Sequence, residues 1–222
     1  MNNKSMLSIL TNFGCHFGCS YCVYRENGIN IPKTHVDTFG WDELEEQFKI
    51  HRGELISISG GGDPLYNYED NIEFYNKLFI LLKKYDCKLE LHTSMFNPNF
   101  NYSDCERVVF HFTMPNQISL LESLANGFVT GLYLPHHVRV VYVVQEHYSK
   151  HLIKEIVNEV RNSKWVNELS FRQMIDKHGN TTYYLHDYLK EGHKKDWYYI
   201  EQADYNEYFV QNHIEREYLE IK

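Results

Sequence analysis

The stretch CHFGCSYC, residues 15–22, follows directly on an apolar run at residues 6–10. It carries three cysteines in the spacing CxxxCxxC, and we call it the cysteine loop. Three thiolates on so short a loop can bind one face of a metal cluster. A short apolar run bounded by a polar loop is consistent with a buried strand. We therefore expect a first strand whose carboxyl end carries a metal site.

Downstream of the cysteine loop, strand-like and helix-like segments alternate. Strands are expected at residues 55–59, 88–93, 107–113, 138–144 and 168–175, and helices at residues 41–52, 71–85, 117–126 and 148–162. Regular alternation of this kind predicts parallel pairing with right-handed crossovers. The expected fold class is α/β, either as an open sheet or as a partial barrel.

A triple-glycine turn, GGGDP at residues 60–64, closes the second expected strand, and we call it the glycine turn. Active sites of parallel α/β proteins lie at the carboxyl ends of the strands. The cysteine loop and the glycine turn both stand at such ends. Glycines allow a backbone to approach a ligand closely, whereas a simple tight turn is the alternative interpretation.

Alternate residues of the expected strands fall into an apolar set and a polar set, which period-two geometry places on opposite faces. Charged side chains inside a curved sheet are costly unless they are paired or hydrated. One interpretation is a structural ion network, for example Glu90–Arg139 or Glu168–Arg172. The other is a polar cavity for cofactor and substrate, and the two can coexist. The polar set consists of Ser57, Ser59, Glu90, His92, His111, Thr113, Arg139, Glu168, Ser170 and Arg172.

Composition argues against several classes of function. The 222 residues carry a formal net charge of −8, which is unlike a protein that binds nucleic acid through a broad basic surface. No stretch is long and apolar enough to span a bilayer, and the N-terminus lacks the apolar segment of a signal peptide. Five cysteines are an odd count, unlike a secreted disulfide framework. We expect a cytoplasmic protein with neither a membrane nor a nucleic-acid partner.

Beyond residue 179 the alternating pattern ends. Residues 1–178 are expected to form the barrel, and residues 179–222 an aromatic-rich C-terminal extension that packs on it within the same domain. Helices are expected near residues 183–189 and 204–221. Because a six-stranded barrel leaves an opening, we expect the extension to close the open side or the bottom of the barrel and to shield its interior from water.

The spacing of the cysteines leaves the metal open. A [4Fe–4S] cluster normally takes four cysteines, so three would leave one iron free for another ligand, and Cys87 and Cys105 belong to other segments. Zinc is an alternative with His16 as the fourth ligand, although structural zinc sites usually pair ligands from two knuckles. Three structural cysteines without a metal are the remaining alternative.

Taken together, these residues resemble the radical S-adenosylmethionine (radical SAM) superfamily. The cysteine loop, with the aromatic Tyr21 just before Cys22, is similar to the superfamily signature. The sequence GGDP at residues 61–64 is similar to its GGE motif, with Asp in place of Glu. The resemblance covers about residues 6–175. It implies a partial (β/α)6 barrel of the TIM type, a [4Fe–4S] cluster and SAM as cofactors, and a flavodoxin- or ferredoxin-like electron donor.

The resemblance also implies roles for individual residues. One electron from the cluster would cleave SAM into methionine and a 5′-deoxyadenosyl radical, which abstracts hydrogen from the substrate or adds to it. The backbone at Tyr21 would meet the adenine. The methionine amine would meet Gly61, Gly62 and Asp63, although Asp63 is one methylene shorter than the usual Glu. Three irons of the cluster would be held by Cys15, Cys19 and Cys22.

Further contacts are assigned by position alone. Polar residues at the ends of strands four and five often meet the SAM ribose or carboxylate in this superfamily, and here the candidates by position are Thr113, Arg139 and Arg172. Candidate catalytic residues or substrate contacts are His92, His111 and Arg172. A strand histidine that satisfies only a structural hydrogen bond is the alternative.

The substrate is less constrained than the cofactors, because one fold serves many substrates. The candidate arginines and histidines favour a small polar substrate that is nucleotide-like or anionic. No cysteine cluster follows the sixth expected strand, so an auxiliary-cluster domain is not expected. The alternative within the class is a peptide- or protein-modifying enzyme, such as a maturase or a glycyl-radical activase. The alternative outside it is a non-catalytic iron–sulfur protein for electron transfer or redox sensing.

Overall fold

The computed structural model describes residues 6–19, 21–26, 28–127, 134–135, 137–173, 207–217 and 221. These residues form an α/β structure in which most strand pairs are parallel. The helices are α1 (Val23–Glu26), α2 (Trp41–Ile50), α3 (Ile72–Lys84), α4 (Gln117–Ala125) and α5 (Lys150–Asn162). The strands are β1 (Leu7–Thr11), β2 (Leu55–Gly60), β3 (Lys88–Thr93), β4 (Arg107–Phe112), β5 (His137–Val144), β6 (Glu168–Gln173), β7 (Glu207–Val210) and β8 (His213–Glu215).

The expected alternation of strands and helices is confirmed for β1 to β6 and for α2 to α5. Hydrophobic periodicity placed these elements because the buried positions of each helix recur at helical spacing, as in α5, where Ile153, Ile156, Val157 and Val160 are buried. The one-turn helix α1 is an addition that the sequence pattern did not indicate. No helix in the described ranges combines the length and the apolarity that crossing a membrane requires.

Backbone contacts divide the chain into two compact units, the first of which comprises Met1–Met95 and Ala203–Lys222. Its strands lie in the order β3-β2-β1-β7-β8. Strand β1 is parallel to both β2 and β7, and β8 is antiparallel to β7. An aromatic cluster joins the helices to this sheet, since the Phe39 ring lies 5.0 Å from Phe74 of α3 and 5.5 Å from Phe209 of β7. The apolar face of the first unit is thereby covered.

The other face of this sheet carries the polar residues that alternation predicts. Strand register places Ser8 beside Ser57, and Ser57 beside Glu90, and all three are at most 1% exposed. The hydroxyls of Ser8 and Ser57 are 3.1 Å apart. The imidazole Nε2 of His92 lies 2.8 Å from Glu90 Oε1. The predicted polar face is therefore confirmed for the first unit, and its groups are satisfied by one another.

The second unit, Phe96–Gln202, has parallel strands in the order β4-β5-β6. Its apolar face packs aromatic rings together, with the Tyr142 ring edge-to-face with Phe112 at 5.7 Å and stacked on Phe171 at 6.0 Å. Its polar face holds an ion pair in which Arg139 Nε lies 2.6 Å from Glu168 Oε2. The predicted division into an apolar and a polar face is present in this unit as well.

The helix predicted at residues 204–221 is wrong. Residues 207–210 and 213–215 are the strands β7 and β8, joined by a turn in which Gln211 has a positive φ of 57°. Tyr208, Phe209 and Val210 favour a strand, and pairing with β1 buries all three. The described residues thus contain eight strands rather than the six predicted. The helix predicted at residues 183–189 lies outside the described residues.

Candidate metal centre

The approach to the cysteine loop is fixed by Asn12, the residue after β1. Its backbone N–H donates to Thr34 Oγ1 at 2.9 Å, and its carbonyl accepts from the Thr34 N–H at 3.0 Å. Its side-chain amide donates to the Ile31 carbonyl at 2.7 Å, while its Oδ1 accepts from the Gly14 N–H at 3.2 Å. Asn12 therefore ties the chain just before the cysteine loop to the segment just after it and closes the loop at its base.

The three thiols of the cysteine loop are free, with Cys15 exposed and Cys19 and Cys22 half-buried. The Phe17 N–H donates to Cys15 Sγ across 3.4 Å. The Cys22 N–H donates to the Cys19 carbonyl at 3.2 Å, and the Arg25 guanidinium of α1 donates to the same carbonyl. The loop backbone is thus held by its own hydrogen bonds and by α1, while the thiols remain reachable.

The charges near Cys15 act on its ionisation. Burial raises the pKa of the Cys15 thiol, the Phe17 N–H lowers it, and the charges of Asp63, Cys19 and Cys22 raise it. A thiol must lose its proton to bind a metal, so metal binding at this loop releases protons.

The donor set of the loop fits an iron–sulfur cluster. Three soft thiolates on one loop are the ligands that such clusters take. Across the described ranges, no three His, Cys, Asp or Glu side chains are already gathered as a finished metal site. The imidazole of His16 is exposed and lies 3.9 Å from the Phe17 ring, centre to centre. The loop thiols would hold three irons of a [4Fe–4S] cluster and leave the fourth iron for another ligand.

The other two cysteines are core residues. The Cys87 thiol donates to the His51 carbonyl at 3.3 Å and is 8% exposed, and Cys105 is 5% exposed. Burial raises the pKa of both thiols, which keeps them protonated and unreactive. Both side chains therefore behave as small apolar residues.

The glycine turn packs directly against the chain that leads into the cysteine loop. A Cβ at Gly60 would lie 1.8 Å from the Thr11 carbonyl oxygen, and a Cβ at Gly62 would lie 2.1 Å from the Gly14 carbonyl oxygen. Two hydrogen bonds join the same segments, Gly61 N–H to Thr11 O and Asp63 N–H to Gly14 O, each at 2.8 Å. These glycines are required because backbone meets backbone here.

Asp63 has a different environment from the one that the GGE resemblance implies. Its carboxylate is 3% exposed and accepts hydrogen bonds from Leu65, Thr93 and Ser94. The resemblance implied contact with the amine of SAM. The structure instead surrounds this carboxylate with protein donors.

The remaining candidates of the first unit are Tyr21 and His92. Tyr21 is half-buried and directly precedes Cys22, so its backbone belongs to the cysteine loop. His92 is 5% exposed and is the fifth residue of β3, next to Thr93. Its contact with Glu90 supplies the satisfied hydrogen bond of a structural histidine, and it also fixes the orientation of the ring.

The candidates of the second unit stand at different heights along its strands. Arg139 is the third residue of β5 and pairs with Glu168, the first residue of β6, so it lies toward the amino ends of the strands. His111 and Arg172 are each the fifth residue of a strand and are half-buried. Thr113, just past β4, contacts Gln117 Oε1 through its N–H at 2.7 Å and its hydroxyl at 3.3 Å. Arg139 therefore does not lie at the strand end where a contact with SAM was expected.

Sequence reasoning missed the residues that fix the loops. Asn12 closes the base of the cysteine loop, Thr93 and Ser94 hold Asp63, and Gln117 caps the loop after β4. Each ends a strand, directly follows one or begins a helix, where polar side chains satisfy free backbone groups. That position is the sequence signal that could have identified them.

The comparisons with known proteins add no assignment. No protein-family model matches the chain, and no curated protein matches it with significance.

Proposed function

We propose that the chain is a radical SAM enzyme whose cysteine loop holds a [4Fe–4S] cluster through Cys15, Cys19 and Cys22. The observation that carries the proposal is the joint between the cysteine loop and the glycine turn, where Asp63 N–H donates to the carbonyl of Gly14, the residue before Cys15. When bound, such a cluster supplies the electron that cleaves SAM into methionine and a 5′-deoxyadenosyl radical. The joint sets the turn proposed to meet SAM against the base of the loop proposed to hold the cluster, and this supports the proposal.

The chain's own residues would place the two cofactors. Asn12 and the glycine turn hold the two sides of the cysteine loop, so the thiols are presented from a fixed base. The backbone of Gly61 and Gly62 and the backbone at Tyr21 remain the groups proposed to meet SAM. Contact through backbone suits glycine, since the absence of a side chain permits close approach.

We propose a small polar, nucleotide-like or anionic molecule as the substrate. Support comes from His111 and Arg172, which lie on the polar faces of β4 and β6 in the second unit. Both side chains are half-buried, so a ligand can reach them. A guanidinium favours phosphate and carboxylate groups.

The proposal includes the partial (β/α)6 barrel that the resemblance implies, in a cytoplasmic protein served by a flavodoxin- or ferredoxin-like electron donor. Its support is the run β4–α4–β5–α5–β6 and the unit β2–α3–β3, in which helices connect parallel strands. β7 would then be an added strand beside β1, which is the position where a six-stranded barrel is open. A crystal structure of the reconstituted protein tests the curvature directly.

The experiment that tests the function is anaerobic reconstitution with iron and sulfide, followed by reduction, addition of SAM and chromatographic detection of 5′-deoxyadenosine. We expect iron–sulfur absorption in the reconstituted protein and reductant-dependent 5′-deoxyadenosine. The Cys19→Ser variant is the negative control, and Cys87→Ala is the matched control for loss of a cysteine elsewhere. A protein that binds the cluster and gives no 5′-deoxyadenosine with any reductant would instead be a redox or sensor protein.

The substrate class is tested next, with the active protein and a set of metabolites. An added substrate should increase 5′-deoxyadenosine formation by losing a hydrogen atom to the radical, and a deuterated substrate reports this loss by transferring deuterium into 5′-deoxyadenosine. Stimulation by nucleotides or small anions supports the proposed class. Stimulation by a peptide or by a co-purified protein, with none by small molecules, would replace it with a peptide-modifying enzyme.

A further inference from the structure

The Asp63 carboxylate is fully used by the protein. Its Oδ1 accepts from the Thr93 hydroxyl at 2.7 Å and from the Leu65 N–H at 3.0 Å. Its Oδ2 accepts from the Ser94 N–H at 2.7 Å and from the Ser94 hydroxyl at 2.6 Å. A carboxylate offers about four lone-pair sites, so these four donors occupy its capacity. At 3% exposure, it also has little surface left for a ligand.

The backbone of Asp63 links those donors to the cysteine loop. Its N–H donates to the Gly14 carbonyl at 2.8 Å, and Gly14 directly precedes Cys15. Thr93 is the last residue of β3, and Ser94 follows it. One residue therefore connects the carboxyl end of β3, through its side chain, to the base of the cysteine loop, through its backbone.

We propose that Asp63 is a positioning residue, which holds the cysteine loop against the carboxyl end of β3 through Thr93 and Ser94 and does not bind the amine of SAM through its carboxylate. The inference rests on the proposed function only in taking the cysteine loop as the cluster site. It assigns to Thr93 and Ser94 a part in assembling that site.

The length of the side chain is part of this inference. A glutamate at position 63 would carry its carboxylate about 1.5 Å further from the backbone, the length of one carbon–carbon bond. Hydrogen bonds of 2.6 to 3.0 Å to four donors cannot all survive such a shift. The aspartate is therefore the fitting residue here, and the glutamate typical of the superfamily motif is expected to disrupt the site.

The first test uses the full-length metal-free protein and needs no catalysis. Amide hydrogen exchange is measured by NMR in wild type, Ser94→Ala, Thr93→Val and Thr93→Ser. We expect the Asp63 and Gly61 amides to exchange about tenfold faster in Ser94→Ala and Thr93→Val, as the loss of a buried hydrogen bond implies. Thr93→Ser keeps the hydroxyl and should restore slow exchange. The Gly53 amide, which donates to the Tyr85 carbonyl, is the internal control and should not change.

The second test uses the reconstituted protein and compares Asp63→Glu, Asp63→Asn and Ser94→Ala with Ser103→Ala, which removes an exposed hydroxyl elsewhere. We expect the first three to lower iron per chain several-fold, while the KM for SAM of the loaded chains stays that of wild type. Asp63→Asn combined with Ser94→Ala should lose little more than either alone, because both changes remove one shared contact.

The opposite pattern would overturn the inference. If Asp63→Glu and Ser94→Ala load iron like wild type, and Asp63→Asn raises the KM for SAM, the carboxylate binds the cofactor directly. Unchanged amide exchange in Ser94→Ala and Thr93→Val would remove the link to the cysteine loop. If exchange and iron loading respond as expected but wild type forms no 5′-deoxyadenosine, the positioning role stands and the proposed function fails.

Discussion

The amino ends and the carboxyl ends of the parallel strands are held together by different chemistry. At the amino ends, polar and charged side chains bridge neighbouring elements. His51 lies 2.9 Å from Glu54 and 3.0 Å from Glu207, the first residue of β7, and in the second unit Arg139 lies 2.6 Å from Glu168. At the carboxyl ends of the strands in the first unit, the buried Asp63 accepts hydrogen bonds from neutral donors. The backbone of the glycine turn also packs there on the backbone that leads into the cysteine loop.

The contacts at the two ends of the strands differ in how steeply their energy depends on distance. An ion pair between long side chains tolerates small displacements, because its attraction changes slowly with distance. Hydrogen bonds and contacts between backbones change steeply over a few tenths of an ångström. The contacts at the amino ends of the strands therefore hold neighbouring elements together. The contacts at the carboxyl ends of the strands in the first unit fix the position of the cysteine loop. We expect changes at the amino ends to alter stability, and changes at this carboxyl end to alter metal binding.

The largest effect is expected from replacing Cys15, Cys19 or Cys22 singly by serine. A serine hydroxyl is a far poorer iron ligand than a thiolate, so each variant should lose iron and the visible absorption of the cluster. The three side chains lie outside the buried core, so the unfolding temperature of the metal-free protein should not change. Iron analysis and thermal unfolding measure the two quantities separately.

The matched control for these variants is Cys87→Ala, at a thiol that is 8% exposed. It should keep its iron and lose about 1–2 kcal/mol of unfolding free energy, as a small cavity implies. A loop variant that retains full iron would show that its cysteine is not a ligand.

The next effect is expected from Gly62→Ala. The added Cβ would lie 2.1 Å from the Gly14 carbonyl oxygen, and no side-chain rotation can relieve a clash with backbone. We expect a loss of about 3 kcal/mol in unfolding free energy, together with weaker iron binding. Gly18→Ala is the control inside the cysteine loop, because its nearest neighbour is the Arg25 side chain at 4.0 Å. Equal losses in both variants would mean that the loop is generally sensitive and that the joint is not special.

Much of this arrangement was available from the sequence, since local patterns govern it. Helical spacing marked α2, α3, α4 and α5, and a glycine run after an apolar strand marked the glycine turn. The cysteine loop and the glycine turn were placed at the same edge because parallel strands share their carboxyl edge. These inferences need only a residue and its near neighbours.

The rest depends on partners that are distant in sequence. Residues 207–210 were interpreted as helical, and only the free edge of β1 makes them a strand. Asp63 finds two of its partners 30 and 31 residues away, at Thr93 and Ser94. Alternation predicted the face of the sheet on which Arg139 lies but not its position along β5. That position decides whether a side chain lies near the loop after a strand or near the start of the strand.

Arg139→Met tests the amino end of the second unit. The variant keeps much of the side-chain volume and removes the guanidinium from Glu168, which is 28% exposed and retains Arg107 at 3.7 Å. We expect a loss of about 2 kcal/mol in denaturant unfolding, less than for a fully buried pair. Iron content and the KM for SAM should be unchanged. Arg107→Met, at the longer contact, should cost less. A raised KM at unchanged stability would return Arg139 to the cofactor contacts.

The smallest effect is expected from Glu207→Gln at the amino end of the first unit. The change removes the carboxylate charge that faces His51 Nε2, although the new amide can still form a hydrogen bond to the ring. The side chain of Glu207 is only 19% exposed, so the contact is partly buried. We expect a loss of about 1 kcal/mol, which changes little in high salt because partly buried charges are screened less than exposed ones. Glu46→Gln removes the exposed partner of Lys49 in α2 and should have no measurable effect. Since Glu207 opens the strand that pairs with β1, equal results for the two variants would show that β7 is held by backbone pairing and apolar burial alone. The contact between His51 and Glu207 would then contribute nothing to stability, and in this unit only the contacts at the carboxyl ends of the strands would remain of the contrast.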